Sequence, residues 1–140
     1  MESLTYPAPK EAVSQPFGHD NSKHPKRKSF YQLFDDKHPG VDFALRVGTS
    51  VRSAYSGVVV RREFHQGMGN VLGIRNSNIV CLYAHLSKFK VKLADVVNNG
   101  QVIGLSGDTG KACLSPHLHF EIRDITTPSL KQMVFNPPFN

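Results

Sequence analysis

The segment SPHLHFEIRD, residues 115 to 124, places two histidines one residue apart in a run that alternates apolar and polar side chains. As an extended strand it puts His117, His119, Glu121 and Arg123 on one face, and Leu118, Phe120 and Ile122 on the other. The two imidazoles then sit roughly 6 to 7 Å apart at Cα, a spacing at which both rings can converge on one metal ion or one substrate atom. A second segment, HPGVD at 38 to 42, carries His38 and Asp42. In a straight strand these two would be about 13 Å apart. Pro39 and Gly40 break that extension and disfavour a helix, so a bend can bring imidazole and carboxylate together. A third segment, YAHLS at 83 to 87, adds His85. The alternation of NIVCLYAHLS groups His85 with Cys81 and Tyr83 on a face turned away from the core, opposite Val80, Leu82, Ala84 and Leu86.

Imidazoles combined with a carboxylate suit a catalytic zinc, which takes three protein ligands and keeps a fourth position for water. The five groups His38, Asp42, His85, His117 and His119 are two more than such a site needs. Surplus imidazoles beside a zinc-bound water can accept its proton, orient it, or stabilise charge on a substrate carbonyl. The reaction class implied is metal-assisted hydrolysis. A closed structural site built from Cys81, His85, Cys113 and His117 fits less well, because Cys81 and His85 on one strand are again about 13 Å apart.

The elements that must position these groups are short. Val, Ile, Phe, Tyr and Thr occur in brief stretches separated by Gly, Asn, Ser and Pro, which predicts a mainly antiparallel β fold. Strands are expected at VDFAL (41 to 45), in the β-branched run after a tight turn at Ser56 and Gly57, and in VLGIRN and NIVCLYAHLS, joined near Asn76, Ser77 and Asn78. A further turn is expected at Asn99 and Gly100, and HQGMGN at 65 to 70 reads as a glycine-rich loop closed by Asn70. At 140 residues the chain is one domain by length. Residues 1 to 37 read as an irregular arm, 38 to 124 as the catalytic core and 125 to 140 as a tail. The net charge of +6 favours polyanionic partners. The densest basic run, residues 23 to 28, lacks interleaved aromatics and reads as a solvated loop, so nucleic acid is not the expected partner. No stretch has the length of a membrane span, and MESLTYPAPK lacks the pattern of a signal peptide.

Taken in order, HPGVD, YAHLS, GQVIGLSGDTG and SPHLHFEIR resemble the lysostaphin and LytM-type zinc endopeptidases, and the similarity covers roughly residues 13 to 124. The resemblance implies an all-β, two-sheet antiparallel fold with a groove walled by loops. It implies an enzyme that cuts peptide bonds in the stems or cross-bridges of bacterial peptidoglycan, acting as a monomer in the cell envelope or outside the cell. Carried onto this chain, the ligands of a single zinc ion fall on His38, Asp42 and His119, and the catalytic histidines on His85 and His117. Some relatives have lost ligands and act as amidase activators; the alternative is therefore a non-catalytic peptidoglycan-binding or amidase-activating module, against which the intact set of five argues. The loop TGKACLSPH is one residue longer than usual, Ser115 and Ala94 stand where glycine is common, and Tyr31, the nearest tyrosine upstream of His38, has no assigned role.

Overall fold

Short β-branched runs cut by turn residues can satisfy their backbone only by pairing with one another, and nine strands do so. In the computed structural model, which describes residues 3 to 27 and 30 to 140, these are β1 (Val13–Gln15), β2 (Val41–Ala44), β3 (Ser50–Arg52), β4 (Gly57–His65), β5 (Gly69–Asn76), β6 (Ile79–Phe89), β7 (Val96–Val97), β8 (Val102–Ser106) and β9 (His117–Asp124). One four-residue helix, α1 (Leu130–Met133), follows, with the Ser129 side chain accepting a hydrogen bond from the Gln132 N–H as its cap. The long sheet runs β1-β2-β9-β6-β5-β4-β7, every pairing antiparallel. A short arm, β3 with β8, joins the outer half of β6. The expected antiparallel β fold takes the form of one nine-stranded sheet, a long path from which the β3–β8 arm branches at β6.

The core lies on one face, where Phe43, Tyr83, Leu118, Phe120 and Ile122 are fully buried. Burying an aromatic or aliphatic side chain of this size contributes roughly 1.5–3 kcal/mol, and alternate residues of β2, β6 and β9 each supply one. A smaller cluster of Val71, Leu82 and Ala84 occupies the opposite face, where Ala84 stands across from His119 and Leu82 from Glu121.

Three expectations are corrected. Residues 1 to 37 are not wholly irregular: β1 pairs with β2, and Leu4 and Ala8 are buried in the main core. Tyr6 stacks on Phe139 with ring centroids 4.4 Å apart, and Leu4 and Phe139 bridge, so arm and tail close over the same core face. The tight turn expected at Ser56 and Gly57 does not form: the chain bends at Ala54 and Tyr55, Gly57 opens β4, and β3 pairs with β8 while β4 pairs with β5 and β7. The glycine-rich segment at 65 to 70 is a tight β4–β5 hairpin rather than a long loop, with His65 opposite Gly69. His65 Nδ1 accepts hydrogen bonds from the Gly67 and Met68 N–H groups and pins that turn. Among the described residues no helix is long and apolar enough to cross a membrane.

Candidate metal centre and active site

Strands β2 and β9 are neighbours with Asp42 directly opposite His119 and Ala44 opposite His117. Because cross-strand partners share a face, the HPGVD and HLH segments are held together by backbone register. His38 precedes β2 and reaches the same point because Gly40 lets the chain pass against β9, where a Cβ would collide with the Phe120 carbonyl oxygen. The outcome is a buried triad: His38 Nε2 lies 3.1 Å from Asp42 Oδ1 and 3.2 Å from His119 Nδ1, and His119 Nδ1 lies 2.7 Å from Asp42 Oδ1.

Outer partners fix which nitrogen faces inward. His38 Nδ1 is 3.0 Å from the Pro16 carbonyl oxygen, which can only accept, so Nδ1 carries the hydrogen and Nε2 presents a lone pair. His119 Nε2 donates to Glu121 Oε1 at 2.9 Å, leaving Nδ1 for the triad. Glu121 is itself buried and is held by Arg123, whose Nη2 lies 2.7 Å from Oε2. Two imidazole lone pairs and a carboxylate oxygen this close repel one another unless a cation or proton lies between them. Burial pushes His119 toward the neutral form, but hydrogen bonds to Asp42 and Glu121 outweigh it and raise its pKa to about 10. Asp42, despite burial, is held well below the usual carboxylate range by His119 and His38. This N, N, O donor set with a carboxylate behind one histidine fits a zinc centre, in which His38, Asp42 and His119 would be the protein ligands.

His85 and His117 form a second pair beside the triad, their ring centroids 4.6 Å apart. Each donates Nδ1–H to a backbone carbonyl at 2.7 Å, His85 to Thr109 and His117 to Ser115, so each presents Nε2 as an acceptor. His117 Nε2 is 3.7 Å from Asp42 Oδ1. Burial, reinforced by the neighbouring imidazoles, lowers the His85 pKa to about 3. Burial also lowers that of His117, against the opposing pull of Asp42. Both rings are therefore neutral proton acceptors at neutral pH.

The route by which His85 reaches this face differs from simple alternation. Cys81 and Tyr83 belong to the main core and Leu82 and Ala84 to the site face, opposite to the grouping that the sequence suggests. Regular alternation would send His85 into the core with Tyr83. A bulge intervenes: Leu72 pairs with Tyr83 but Asn70 pairs with Leu86, which leaves one extra residue on β6. His85 takes φ of +64°, and its ring turns to the site side. Asn70 holds the bulge by donating from Nδ2 to the Leu86 carbonyl at 2.9 Å.

All five residues singled out in the sequence thus meet at one place. Sequence reasoning missed Glu121 as the partner of His119, although the alternation had set it on the correct face. Pro16, Thr109 and Ser115, which orient three of the histidines through their carbonyls, carried no residue-type signal. Tyr31 also belongs here: its ring is 5.4 Å from that of His38, and burial, followed by the Asp42 charge, pushes its pKa up so that it stays a hydrogen-bond donor. Cys81 and Cys113 are unpaired. Cys113 Sγ lies 3.4 Å from His117 Nδ1, the nitrogen that Ser115 already holds, and Cys81 is buried in the core, so the four-residue closed site does not form.

Among the described residues, two hollows adjoin the His85–His117 pair. One, of about 140 Å³, is lined by Ser14, Arg27, Tyr31, Asp42, Ser115 and His117 among others. The other, of about 380 Å³, has an apolar floor including Phe30, Leu33, Phe34 and Met68, with Arg61, His85, His119 and Arg123 around it.

The profile of Peptidase family M23 matches residues 36–134, and the chain belongs to that family. It is 45% identical over 86 residues to the peptidoglycan DD-endopeptidase ShyA of Vibrio cholerae, a match covering 61% of this chain and 20% of that protein. It is 38% identical over 124 residues to the DD-carboxypeptidase/endopeptidase Mpg of Neisseria gonorrhoeae, covering 88% of this chain and 26% of that one. The chain thus spans about a fifth to a quarter of the length of these relatives. Its fold superposes on the catalytic domain of the antimicrobial peptidase lysostaphin from Staphylococcus simulans with a TM-score of 0.73 and 30% identity, over 89% of this chain and 87% of that domain.

Proposed function

We propose that this chain is a zinc-dependent endopeptidase that hydrolyses peptide bonds in bacterial peptidoglycan, within a stem peptide or a cross-bridge. The observation that carries this reading is the sorting of four imidazoles into two sets. His38 and His119 turn lone pairs inward beside Asp42, while His85 and His117 bond through Nδ1 to backbone carbonyls and so present Nε2 as an acceptor next to the triad, that of His117 3.7 Å from Asp42 Oδ1. The names of the relatives supply the substrate class.

Zinc held by His38, Asp42 and His119 would polarise a substrate carbonyl and make a hydroxide available at neutral pH. The chain does the rest. Nε2 of His117 or His85, neutral by burial, takes the proton of the attacking water and returns it to the departing amine. The carbonyls of Thr109 and Ser115 keep those nitrogens aimed through the cycle and stabilise each ring while it is charged. Tyr31, kept protonated by burial and lining the same hollow as His117, would serve as a donor to the developing oxyanion. Such an enzyme works where peptidoglycan lies, in the envelope or outside the cell, as a single catalytic unit with its core in 38 to 124.

Zinc content and hydrolysis of purified peptidoglycan, measured on the same preparations, test this. The native chain should hold close to one equivalent of zinc. His117→Ala should keep zinc and lose at least about 100-fold in rate, the usual contribution of a positioned acid–base group. His119→Ala should lose both. Full activity in His117→Ala would overturn the assignment and favour the non-catalytic module.

A further inference from the structure

Arginines line both hollows, but they are differently committed. In the apolar-floored hollow, Arg61 Nε is 2.7 Å from Glu63 and Arg123 Nη2 is 2.7 Å from Glu121, so both charges are neutralised within the fold. In the polar hollow the one cationic side chain is Arg27, and it makes no ion pair among the described residues. The only carboxylate in that lining is Asp42, which is taken up by His38 and His119. The Arg27 backbone is fixed: its N–H bonds to the carbonyl oxygen and to Nδ1 of His24. The basic run at 23 to 28, expected as a solvated loop, thus contributes Arg27 to the lining of the hollow that also holds His117; Lys28 lies outside the described residues.

We propose that Arg27 is a specificity-determining residue that binds a free carboxylate of a stem peptide close to the scissile bond, which makes carboxylate-bearing stem cross-links the substrate class rather than glycine bridges. This rests on the hydrolytic reading above and extends it. A planar guanidinium without a counterion matches a carboxylate by two parallel hydrogen bonds. Stem peptides carry carboxylates at chain ends and branch residues, whereas a run of glycine offers no charged group along its length. Arg27 lines this hollow together with Asp42 and His117, so a carboxylate held there would belong to a residue near the bound scissile amide.

The test uses synthetic cross-linked stem peptides whose carboxylates are amidated one at a time, a pentaglycine peptide, and uncleavable versions of the stem pair with a ketomethylene in place of the scissile amide. The zinc-loaded full chain should favour one carboxylate form over its amide by about 10- to 100-fold in KM, the range for a hydrogen bond to a charged group. Its kcat should change less than about threefold. Arg27→Gln should collapse that preference to near unity without affecting the amidated peptide. Lys26→Gln, which removes equal charge from the same loop, should leave the preference intact. A preference near unity in the native chain, an undiminished one in Arg27→Gln, or faster cleavage of pentaglycine overturns the proposal. Calorimetry with the ketomethylene pair separates the two claims. If no peptide is hydrolysed yet the carboxylate analogue binds better through Arg27, the subsite stands and the hydrolytic reading falls. If the analogues bind alike, the subsite falls.

Discussion

Glu121 decides which nitrogen of His119 faces Asp42. Its carboxylate accepts from Nε2 at 2.9 Å and is fixed in turn by Arg123, so the ring cannot flip without breaking two charge-assisted contacts in a buried place. Glu121→Gln keeps the shape but removes the charge, leaving His119 less basic and its tautomer less firmly held. Zinc affinity, measured by competition with a chromophoric chelator, should fall about 10- to 100-fold, the usual loss for such an outer partner. Unchanged affinity would show that the β2–β9 register alone fixes the ring. The five principal residues were legible in the sequence because histidine and aspartate announce chemistry by type, and HPGVD and HLH restrict where they can go. The groups that aim them were not. Pro16 and Thr109 act through carbonyls 22 and 24 residues away from the histidines they hold, and a backbone acceptor has no signature in residue type. Arg27 was hidden for a different reason: a basic run reads as solvated until the fold shows which member turns inward.

Strands carry four of the five principal side chains, Asp42, His85, His117 and His119, and two local features make that work. The bulge on β6 turns His85 out of the core and onto the site face. Simple alternation cannot foresee it, since one inserted residue reverses every later side chain. That is why the sequence located His85 correctly but put Cys81, Tyr83, Leu82 and Ala84 on the wrong sides. The second feature is Gly40, where β2 begins against β9 and where any side chain meets the Phe120 carbonyl. Gly40→Ala should destabilise the fold by about 1–3 kcal/mol, the range for overpacking. Because relief requires β2 to move from β9, His38 and Asp42 should separate from His119 and zinc affinity should fall as well. Urea midpoints and zinc titration on the same variant check both effects; a loss of stability with zinc binding intact would mean that His38 follows β9 rather than β2. Strand existence was legible from period and turn residues, but pairing was not. Ser56–Gly57 and Asn99–Gly100 look like hairpin turns, yet each sends its flanking strands to different partners, because burial across the whole sheet outweighs local turn preference.

At the scale of the whole molecule, a zinc site at the triad would couple folding stability to pH and to metal with definite signs. His119 has a folded pKa of about 10, above the ordinary 6.5, so the stability it contributes is fully present below pH 6.5 and is lost as pH rises toward 10. His85 is the opposite case. Its folded pKa near 3 means that the unfolded chain takes up a proton the fold refuses, so stability falls as pH drops from 6.5 toward 3, with His117 acting in the same direction. Asp42, depressed in the fold, adds to the acid side, where its contribution is lost as pH falls through and below the carboxylate range. Without metal the stability maximum should therefore lie near pH 6.5, with an alkaline arm no steeper than about 1.4 kcal/mol per pH unit for one proton. Zinc and the His119 proton seek the same lone pair, so saturating zinc should remove that arm. It should also add about 2.7 kcal/mol when free zinc is a hundredfold above its dissociation constant. Urea unfolding between pH 5 and 7.5, below the pKa of about 8.5 at which thiols titrate in the unfolded chain, with chelator in one series and excess zinc in the other, measures both effects. A chelated protein as stable at pH 7.5 as at pH 6.5 would mean that the triad does not hold a proton on His119. Convergence of the two series at low pH, where protons displace the metal from all three ligands, is expected in either case and fixes the baseline for the comparison.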